Sequence, residues 1–160
     1  MDVACGSGRH ARYLQSLGLP VTGVDRDTAA LAQLQHNTPG QWITADIENA
    51  PWPLPGQQFD AVVVTNYLWR PLLPQVLASV VPGGWLLYET FAAGNEAFGK
   101  PSRPDFLLRP GELLQLCSPA DDWQIVAFEQ GLLAAPERVV QRIAARRLPA
   151  DTAPLQARLG

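Results

Sequence analysis

The sequence MDVACGSGRHARYL (residues 1–14) decides the fold of this chain. Its first four residues have the composition of a buried strand end, and apolar residues recur at helical spacing from Arg9 to Leu17. Between these segments, Gly6 and Gly8 fit the pattern G-x-G-x-x-G/A, with Ala11 in the last position. A strand, a glycine turn and a helix in this order are typical of a nucleoside-binding α/β unit.

Three acidic residues near predicted strand ends narrow the choice of nucleoside. Asp25 follows Gly6 by 19 residues, the spacing of the acid that binds a ribose hydroxyl. The glycine pattern and this acid alone fit NAD and S-adenosylmethionine equally. Asp2, directly before the turn, would repel a pyrophosphate and attract an ammonium or sulfonium centre. Asp46 is at the end of the third predicted strand, where it is placed to accept a hydrogen bond from an adenine amino group, so the three acids favour S-adenosylmethionine.

The rest of the chain alternates strand and helix patterns at the spacing of β-α-β units. The last two strand patterns are joined by a short loop, which predicts an antiparallel hairpin. We therefore predict an α/β fold: a doubly wound, mostly parallel, Rossmann-like sheet of seven strands with a C-terminal antiparallel hairpin and a truncated first strand. The predicted strands are 1–4, 20–25, 41–46, 59–66, 85–91, 123–131 and 137–147, and the predicted helices are 9–17, 28–35, 71–80 and 110–116.

Composition limits the classes of function. The 160 residues suffice for one domain, and we expect residues 1–148 to form it and 149–160 to be a tail. The formal net charge of −3 gives no broad basic surface, so we expect no nucleic-acid partner. No signal peptide and no apolar run of membrane-spanning length is visible, so we expect no membrane partner and a cytoplasmic location. The two cysteines and two histidines lack metal-ligand spacing, and no metal site is expected.

Five segments, taken together and in order, resemble a known enzyme family. They are DVACGSG (2–8), VDRD (24–27), ADIE (45–48), FDAVVVTNYL (59–68) and VPGGWLLYE (81–89). This set resembles the class I S-adenosylmethionine-dependent methyltransferases and, within them, the small tellurite-resistance-type branch. The resemblance implies S-adenosyl-L-methionine as cofactor and S-adenosyl-L-homocysteine as product. It covers nearly the whole chain, including the late hairpin.

The resemblance also implies the roles of individual residues. Those before and within the glycine turn would line the methionine end of the cofactor, and Asn66 would close the pocket near it. Asp25 would hold the ribose hydroxyls, with Arg26 beside the adenine. The full implied cofactor set is Asp2, Ala4, Gly6, Gly8, Asp25, Arg26, Asp46, Ile47 and Asn66.

The sequence departs from the family pattern at three places. Ala4 stands where the family has a glycine, and we expect the added methyl group to be tolerated. Asn66-Tyr67-Leu68 differs from the N-P-P-Y motif of amino-group methyltransferases, which gives base or glutamine methylation no support. The family has a full strand and a helix ahead of the turn, whereas Met1 stands close before it here. We therefore expect a gene product that starts upstream or a chain that lacks its N-terminal segment, and a homodimer covering the exposed apolar surface is compatible with this.

No catalytic residue is assigned, because a sulfonium methyl is already activated and the protein mainly aligns the acceptor. Weak candidates are Tyr67, which would orient an acceptor, Arg70, which would hold an anionic one, and His10 at the turn. Simple packing of Tyr67, a helix start at Arg70 and solvent exposure of His10 are the structural explanations, and we favour them over catalytic roles. The compact, acidic chain favours methyl transfer to a small-molecule acceptor by in-line displacement. An NAD(P)-dependent oxidoreductase and a non-catalytic S-adenosylmethionine-binding protein are the alternatives.

Overall fold

A computed structural model gives the structure of residues 1–118 and 122–149. The seven strands are β1 (Asp2–Val3), β2 (Thr22–Asp25), β3 (Gln41–Thr44), β4 (Phe59–Thr65), β5 (Val80–Phe91), β6 (Trp123–Ala134) and β7 (Glu137–Arg147). The four α-helices are α1 (Arg9–Ser16), α2 (Thr28–Asn37), α3 (Leu73–Ala78) and α4 (Glu112–Leu116). Three short 3-10 turns lie at Arg70–Leu72, Asn95–Ala97 and Pro104–Phe106. Of the predicted tail, residues 150–160 lie outside the described part.

The strands form one sheet in the order β3-β2-β1-β4-β5-β7-β6. β1 to β5 pair in parallel with one another, and β7 runs antiparallel to both β5 and β6. This confirms the predicted seven-stranded, mostly parallel α/β fold with its antiparallel C-terminal hairpin. In such a sheet the ends of the parallel strands meet at one edge, which brings the residues after β1 to β4 together.

The core lies in two clusters on opposite faces of the sheet. Trp42 packs with α1 and α2 in the smaller cluster, whereas its neighbour Ile43 packs against the larger cluster. Because successive residues of a strand point to opposite faces, these two positions show that both faces are covered. The larger cluster joins β4 and β5 to α3 and α4 through side chains such as Val64 and Leu113, neither of which is exposed.

The central strand β1 has two residues, each paired on both sides. Asp2 aligns with Gly23 of β2 and with Val63 of β4. The Met1 ammonium donates a 2.7 Å hydrogen bond to the carbonyl of Ala61. The turn that follows β1 is therefore fixed at the centre of the sheet edge.

Two predicted boundaries are wrong. The predicted helix 71–80 and the predicted strand 85–91 leave Pro82-Gly83-Gly84 between them, but α3 ends at Ala78 and β5 already begins at Val80. The pairing register shifts between Phe59 and Ala61, so this part of β5 is irregular and accommodates a proline. The first hairpin strand is also longer than the predicted 123–131, because β6 extends to Ala134, whereas β7 has the predicted bounds.

Candidate active site

The glycine turn has the conformation that its glycines allow. Gly8 precedes α1 with φ of 77°, and an added Cβ would lie 2.4 Å from the Leu34 side chain. Gly6 has φ of 51°, and its N–H donates a 2.7 Å hydrogen bond to Asp25 Oδ2. Both positions lie in the left-handed region that favours glycine. The turn therefore packs closely against Leu34 of α2 at Gly8, and the Gly6 hydrogen bond joins it to Asp25 at the end of β2.

Asp25 is oriented by the backbone on both sides. Besides the Gly6 N–H at Oδ2, its Oδ1 accepts a 2.8 Å hydrogen bond from the Asp27 N–H. Each carboxylate oxygen accepts about two hydrogen bonds, so both keep capacity for a ligand hydroxyl. This arrangement suits the pair of adjacent hydroxyls on a ribose.

A cavity of about 250 Å³ opens where β1 to β4 end. It is small for a complete cofactor site and has the size of a nucleoside-binding compartment. Six of the nine residues that the resemblance implies line it, while Asp2, Gly6 and Gly8 do not. The lining residues are Ala4, Asp25, Arg26, Ala45, Asp46, Ile47, Glu48, Asn66 and Tyr67.

Asp2 lies beside the turn in a position that needs a cationic partner. The residue is 1% exposed, and neither carboxylate oxygen forms a hydrogen bond of normal geometry in the described part of the chain. Burial raises the pKa of Asp2 to about 6, although the Met1 ammonium and, to a smaller extent, the Ala11 N–H lower it. A buried, unpaired carboxylate is costly unless a ligand compensates its charge. The donor set therefore fits a cofactor with an ammonium and a sulfonium, and it does not fit a pyrophosphate.

Asp46 holds its own turn at the end of β3. Its Oδ1 accepts hydrogen bonds from the N–H groups of Glu48 (3.1 Å) and Asn49 (3.3 Å), and its Oδ2 accepts one from the Asn49 side chain at 2.9 Å. The Asn49 side chain, followed by the Glu48 N–H, lowers the pKa of Asp46. The carboxylate is thus ionised and largely committed to the backbone that places Ile47 in the cavity.

Two lining residues other than glycine have left-handed backbone conformations. Asn66 has φ of 54°, which asparagine tolerates, and Ala4 has φ of 53°. The expectation that the Ala4 methyl group is tolerated was based on space alone. The backbone at this position adds a conformational cost that alanine bears and glycine would not.

His10 bridges the turn and β4. Its Nδ1 lies 3.2 Å from Thr65 Oγ1, and its Nε2 lies 3.2 Å from an Arg9 nitrogen. Burial and the Arg9 charge lower the pKa of His10, so the imidazole is neutral near pH 7. A neutral imidazole is able to accept a proton.

The Arg70 guanidinium donates four hydrogen bonds to other residues of the chain. Its guanidinium binds both Glu112 oxygens, at 2.7 and 2.9 Å, and the carbonyls of Asp105 (2.8 Å) and Leu107 (2.9 Å). Glu112 also accepts a hydrogen bond from the Arg109 N–H at 2.7 Å. These contacts give Arg70 a clear structural role, which is to hold residues 104–109 against the segment that follows β4.

Sequence reasoning missed Glu48 as a residue of the cavity and assigned Tyr67 only to the acceptor. Glu48 is the last residue of the ADIE segment (45–48), and its two-residue spacing from Asp46 was a signal that the turn returns to the cavity. Tyr67 follows Asn66 directly and is held by a 2.9 Å hydrogen bond from the Tyr88 hydroxyl to its carbonyl.

A larger groove of about 820 Å³ lies at the opposite edge of the sheet. It is lined mainly by apolar side chains such as Leu14, Leu19 and Phe59. None of the implied cofactor residues borders it, and it lies at the amino ends of the strands, away from the edge where ligands bind in this architecture.

Neither cysteine of the described residues takes part in a disulfide. Cys5 and Cys117 are free thiols, and Cys117 is buried in the larger core cluster. Residues 1–118 and 122–149 contain no cluster of His, Cys, Asp or Glu that is arranged to bind a metal. Over the same ranges, no helix has the length and apolarity needed to cross a membrane.

Comparison with known proteins identifies the family. The family described as "Methyltransferase domain" matches residues 1–84, which is more than half of the chain. A search of curated proteins gave no match. Among solved structures, an S-adenosylmethionine-dependent methyltransferase from Mesorhizobium loti superposes with a TM-score of 0.70 at 18% identity, covering 91% of this chain and 89% of that chain.

Two further structures have the same fold. A methyltransferase of this kind from Methanosarcina mazei gives a TM-score of 0.68 at 17% identity, covering 92% of this chain and 91% of that one. The plantazolicin methyltransferase BpumL, in complex with a triazolic desmethylPZN analog and S-adenosylhomocysteine, gives 0.68 at 16% identity, covering 92% and 76%. Because the sequence identities are below 25%, these solved structures show only that the fold is similar. The match to the family over residues 1–84 shows that the chain is a member of it. The chain therefore belongs to the methyltransferase domain family and is a class I S-adenosylmethionine-dependent methyltransferase.

Proposed function

We propose that this enzyme transfers the methyl group of S-adenosylmethionine to a small-molecule acceptor by in-line displacement, and that it belongs to the small tellurite-resistance-type branch. The observation that carries the proposal is the cavity at the ends of β1 to β4. Six residues implied by the sequence resemblance line this one cavity, although they come from four separate segments of the chain.

In this proposal each part of the cofactor has its own protein groups. Asp25 binds the ribose hydroxyls with the two oxygens that the backbone orients. Arg26 and Ile47 enclose the adenine, and Asp46 shapes that side of the cavity. The methionine end lies along the glycine turn and Asn66, with the unpaired Asp2 carboxylate compensating its positive charge.

The chemical step needs little from the protein beyond alignment and exclusion of water. When bound, the cofactor supplies an activated methyl group. A general base is needed only for an acceptor that keeps its proton at neutral pH. His10 at the glycine turn is then a candidate, because its pKa is lowered, but both ring nitrogens lie within hydrogen-bond distance of Thr65 or Arg9, so one of these contacts would have to break. Tyr67 stays a candidate for orienting the acceptor, whereas such a role for Arg70 would require breaking its contacts with Glu112.

The small-molecule class of acceptor is supported by composition. The net charge of −3 disfavours a nucleic-acid acceptor, which carries a high negative charge itself. The similar structure of BpumL holds analogs of desmethylPZN. A homodimer is part of the proposal, supported by the exposed side chains of Tyr13, Leu17 and Leu19, and sedimentation velocity tests it.

Calorimetric titration with S-adenosylmethionine, S-adenosylhomocysteine and NADH tests the cofactor site. We expect the two sulfur nucleosides to bind and NADH not to bind. Asp25→Ala should remove binding, whereas Asp60→Ala, an acid on β4 that lines the opposite groove, should leave it unchanged. Binding of NADH in place of the sulfur nucleosides would support the oxidoreductase alternative.

A methyl-transfer assay tests the acceptor class. Cofactor with a radiolabelled methyl group is incubated with pools of amines, thiols, carboxylates and metalloid oxyanions, and in parallel with protein and nucleic acid. Label in a small-molecule pool, lost in Asp25→Ala, is the expected result. Label only in a polymer would contradict the proposed class. Cofactor binding without transfer to any pool would favour the non-catalytic alternative.

A further inference from the structure

The edge strand β6 is open on its outer side. It is the last strand of the sheet, and within residues 1–118 and 122–149 it pairs only with β7. It is 12 residues long, whereas β3 at the other edge of the sheet has four residues. The open side of an edge strand presents unpaired backbone N–H and C=O groups, which are able to pair with another chain.

The contacts of β7 show which backbone groups of β6 point to the open side. The Val139 N–H donates to the Asn95 side chain, and the Val139 carbonyl accepts from the Ala92 N–H. Opposite residues of an antiparallel pair exchange both backbone hydrogen bonds or neither. Val139 therefore exchanges none with Leu132, which lies opposite it in β6. The N–H and C=O of Leu132 consequently point away from β7.

This orientation recurs at every second residue of the strand, so Phe128 and Gln130 also direct their backbone groups to the open side. The register shift in β6 comes before Phe128 and does not interrupt this stretch. The three side chains share one face of the sheet. On that face Phe128 packs against the larger core cluster, while Leu132 is 53% exposed.

The stretch from Ala127 to Ala134 lacks the features that usually keep an edge strand from pairing, which are free charges, prolines and bulges. Its one charged residue is Glu129, and this carboxylate is paired with Arg142 of β7. At Gly131 an added Cβ would meet nothing within 4 Å. Packing within the described residues therefore does not require a glycine at this position, and the space beside it is open to another chain.

We propose that β6 pairs in antiparallel orientation with β6 of a second copy of this chain, with the twofold axis at Gln130. The inference rests on the homodimer of the proposed function, whose interface it names, and it is independent of the methyl-transfer step. Phe128 then lies opposite the partner's Leu132, and Gln130 lies opposite the partner's Gln130.

The side chains favour this register over its neighbours. An aromatic ring opposite an aliphatic side chain stabilises an antiparallel pair, and the Phe128 ring would cover the exposed Leu132. Glu129 lies opposite the partner's Gly131, where space is open. An axis at Glu129 would place two carboxylates opposite each other, which is destabilising. An axis at Gly131 would place Leu132 opposite the polar Gln130.

A second copy suits this edge because one strand supplies both members of each pair, as a twofold interface requires. Sedimentation velocity of the full chain over a range of concentrations tests the interface. We expect the wild type to dimerise and Leu132→Lys to weaken the dimer by roughly tenfold or more, since the symmetry uses this position twice. Leu17→Lys is the matched control, because Leu17 is similarly exposed (58%) and belongs to the competing apolar surface.

Cysteine crosslinking tests the register. Across an axis at Gln130 the two Cα atoms of that residue would lie about 5.5 Å apart, which is within the range of a disulfide. Gln130→Cys should therefore form a covalent dimer under mild oxidation. Ala134→Cys, at an exposed position of the same strand, would place its two copies roughly 27 Å apart and should not.

The outcomes separate the interface from the homodimer itself. A dimer that persists in Leu132→Lys and dissociates in Leu17→Lys would overturn the inference and leave the homodimer standing. A wild type that stays monomeric at every concentration would overturn both, while the methyl-transfer assay still decides the reaction. Equal crosslinking of Ala134→Cys and Gln130→Cys would show that the proposed register is wrong.

Discussion

At the scale of single residues, the unpaired carboxylate of Asp2 links stability to cofactor binding. Burial raises its pKa from 3.8 to about 6, so the folded protein binds more protons than the unfolded chain between these values. Stability therefore falls as pH rises through this window, and the penalty is fully present above it. Without a ligand, the buried charge of Asp2 therefore lowers the free energy of unfolding. A cationic cofactor removes this destabilisation when it binds.

We predict that Asp2→Asn raises the free energy of unfolding at pH 8 by on the order of 2 kcal/mol and changes it little at pH 4. The same variant should bind S-adenosylmethionine more weakly, and S-adenosylhomocysteine should lose less affinity because it lacks the sulfonium charge. Thermal unfolding across pH and calorimetry measure the two effects. If the wild type and Asp2→Asn have the same free energy of unfolding at pH 8, the buried carboxylate does not destabilise the protein, and the prediction is wrong.

Ala4 gives a second prediction at this scale. Its φ of 53° lies in the left-handed region, where alanine is disfavoured by about 1 kcal/mol relative to glycine. Ala4→Gly should therefore raise the free energy of unfolding in urea by about that amount. Ala32→Gly, at an exposed position in the middle of α2, should lower it by about 1 kcal/mol and is the control of opposite sign. A loss of stability in Ala4→Gly would contradict the assigned strain.

At the scale of elements, the turn between β1 and α1 depends on the space available at Gly8. Gly6 and Gly8 both have positive φ, but only at Gly8 would a Cβ meet Leu34, which is 2% exposed and unable to move freely. Gly8→Ala should therefore cost about 1–3 kcal/mol more than Gly6→Ala. In urea unfolding, the double variant with Leu34→Val should lose less than the sum of the single changes. If the stability losses of Gly8→Ala and Leu34→Val simply add in the double variant, contact with Leu34 is not what excludes a side chain at Gly8.

The Arg70–Glu112 pair gives the second prediction for elements. Arg70→Met should release residues 104–109 and accelerate their amide hydrogen exchange, because two of their carbonyls lose a donor. A double-mutant cycle with Glu112→Gln should give a coupling free energy of about 1 kcal/mol. Arg103→Met is the control, since the Arg103–Asp105 pair has both side chains 71% exposed. Equal exchange in Arg70→Met and wild type would contradict the clamp.

These contacts also show which features a sequence makes predictable. The positions of Asp25 and Asp46 at the cavity were predictable from local sequence. The spacing from the glycine motif fixes Asp25, and the end of a predicted strand fixes Asp46. Arg70 and Glu112 are 42 positions apart, so no local pattern pairs them, and Arg70 was interpreted as an acceptor ligand instead. The start of β5 was missed because Pro82 and Gly83 resemble a stop signal, whereas the shifted register at Phe59 accommodates them. Glu48 was missed because its place in the cavity depends on the turn that Asp46 holds.

At the scale of the whole molecule, the sheet brings the ends of β1 to β4 together at one edge, and we propose that the cofactor binds there. The most direct test is a crystal structure of the chain in complex with S-adenosylhomocysteine. We predict the adenosine in the 250 Å³ cavity, with the ribose hydroxyls on Asp25 and the base beside Ile47. A nucleoside bound in the 820 Å³ groove at the opposite edge, or away from Asp25, would contradict it.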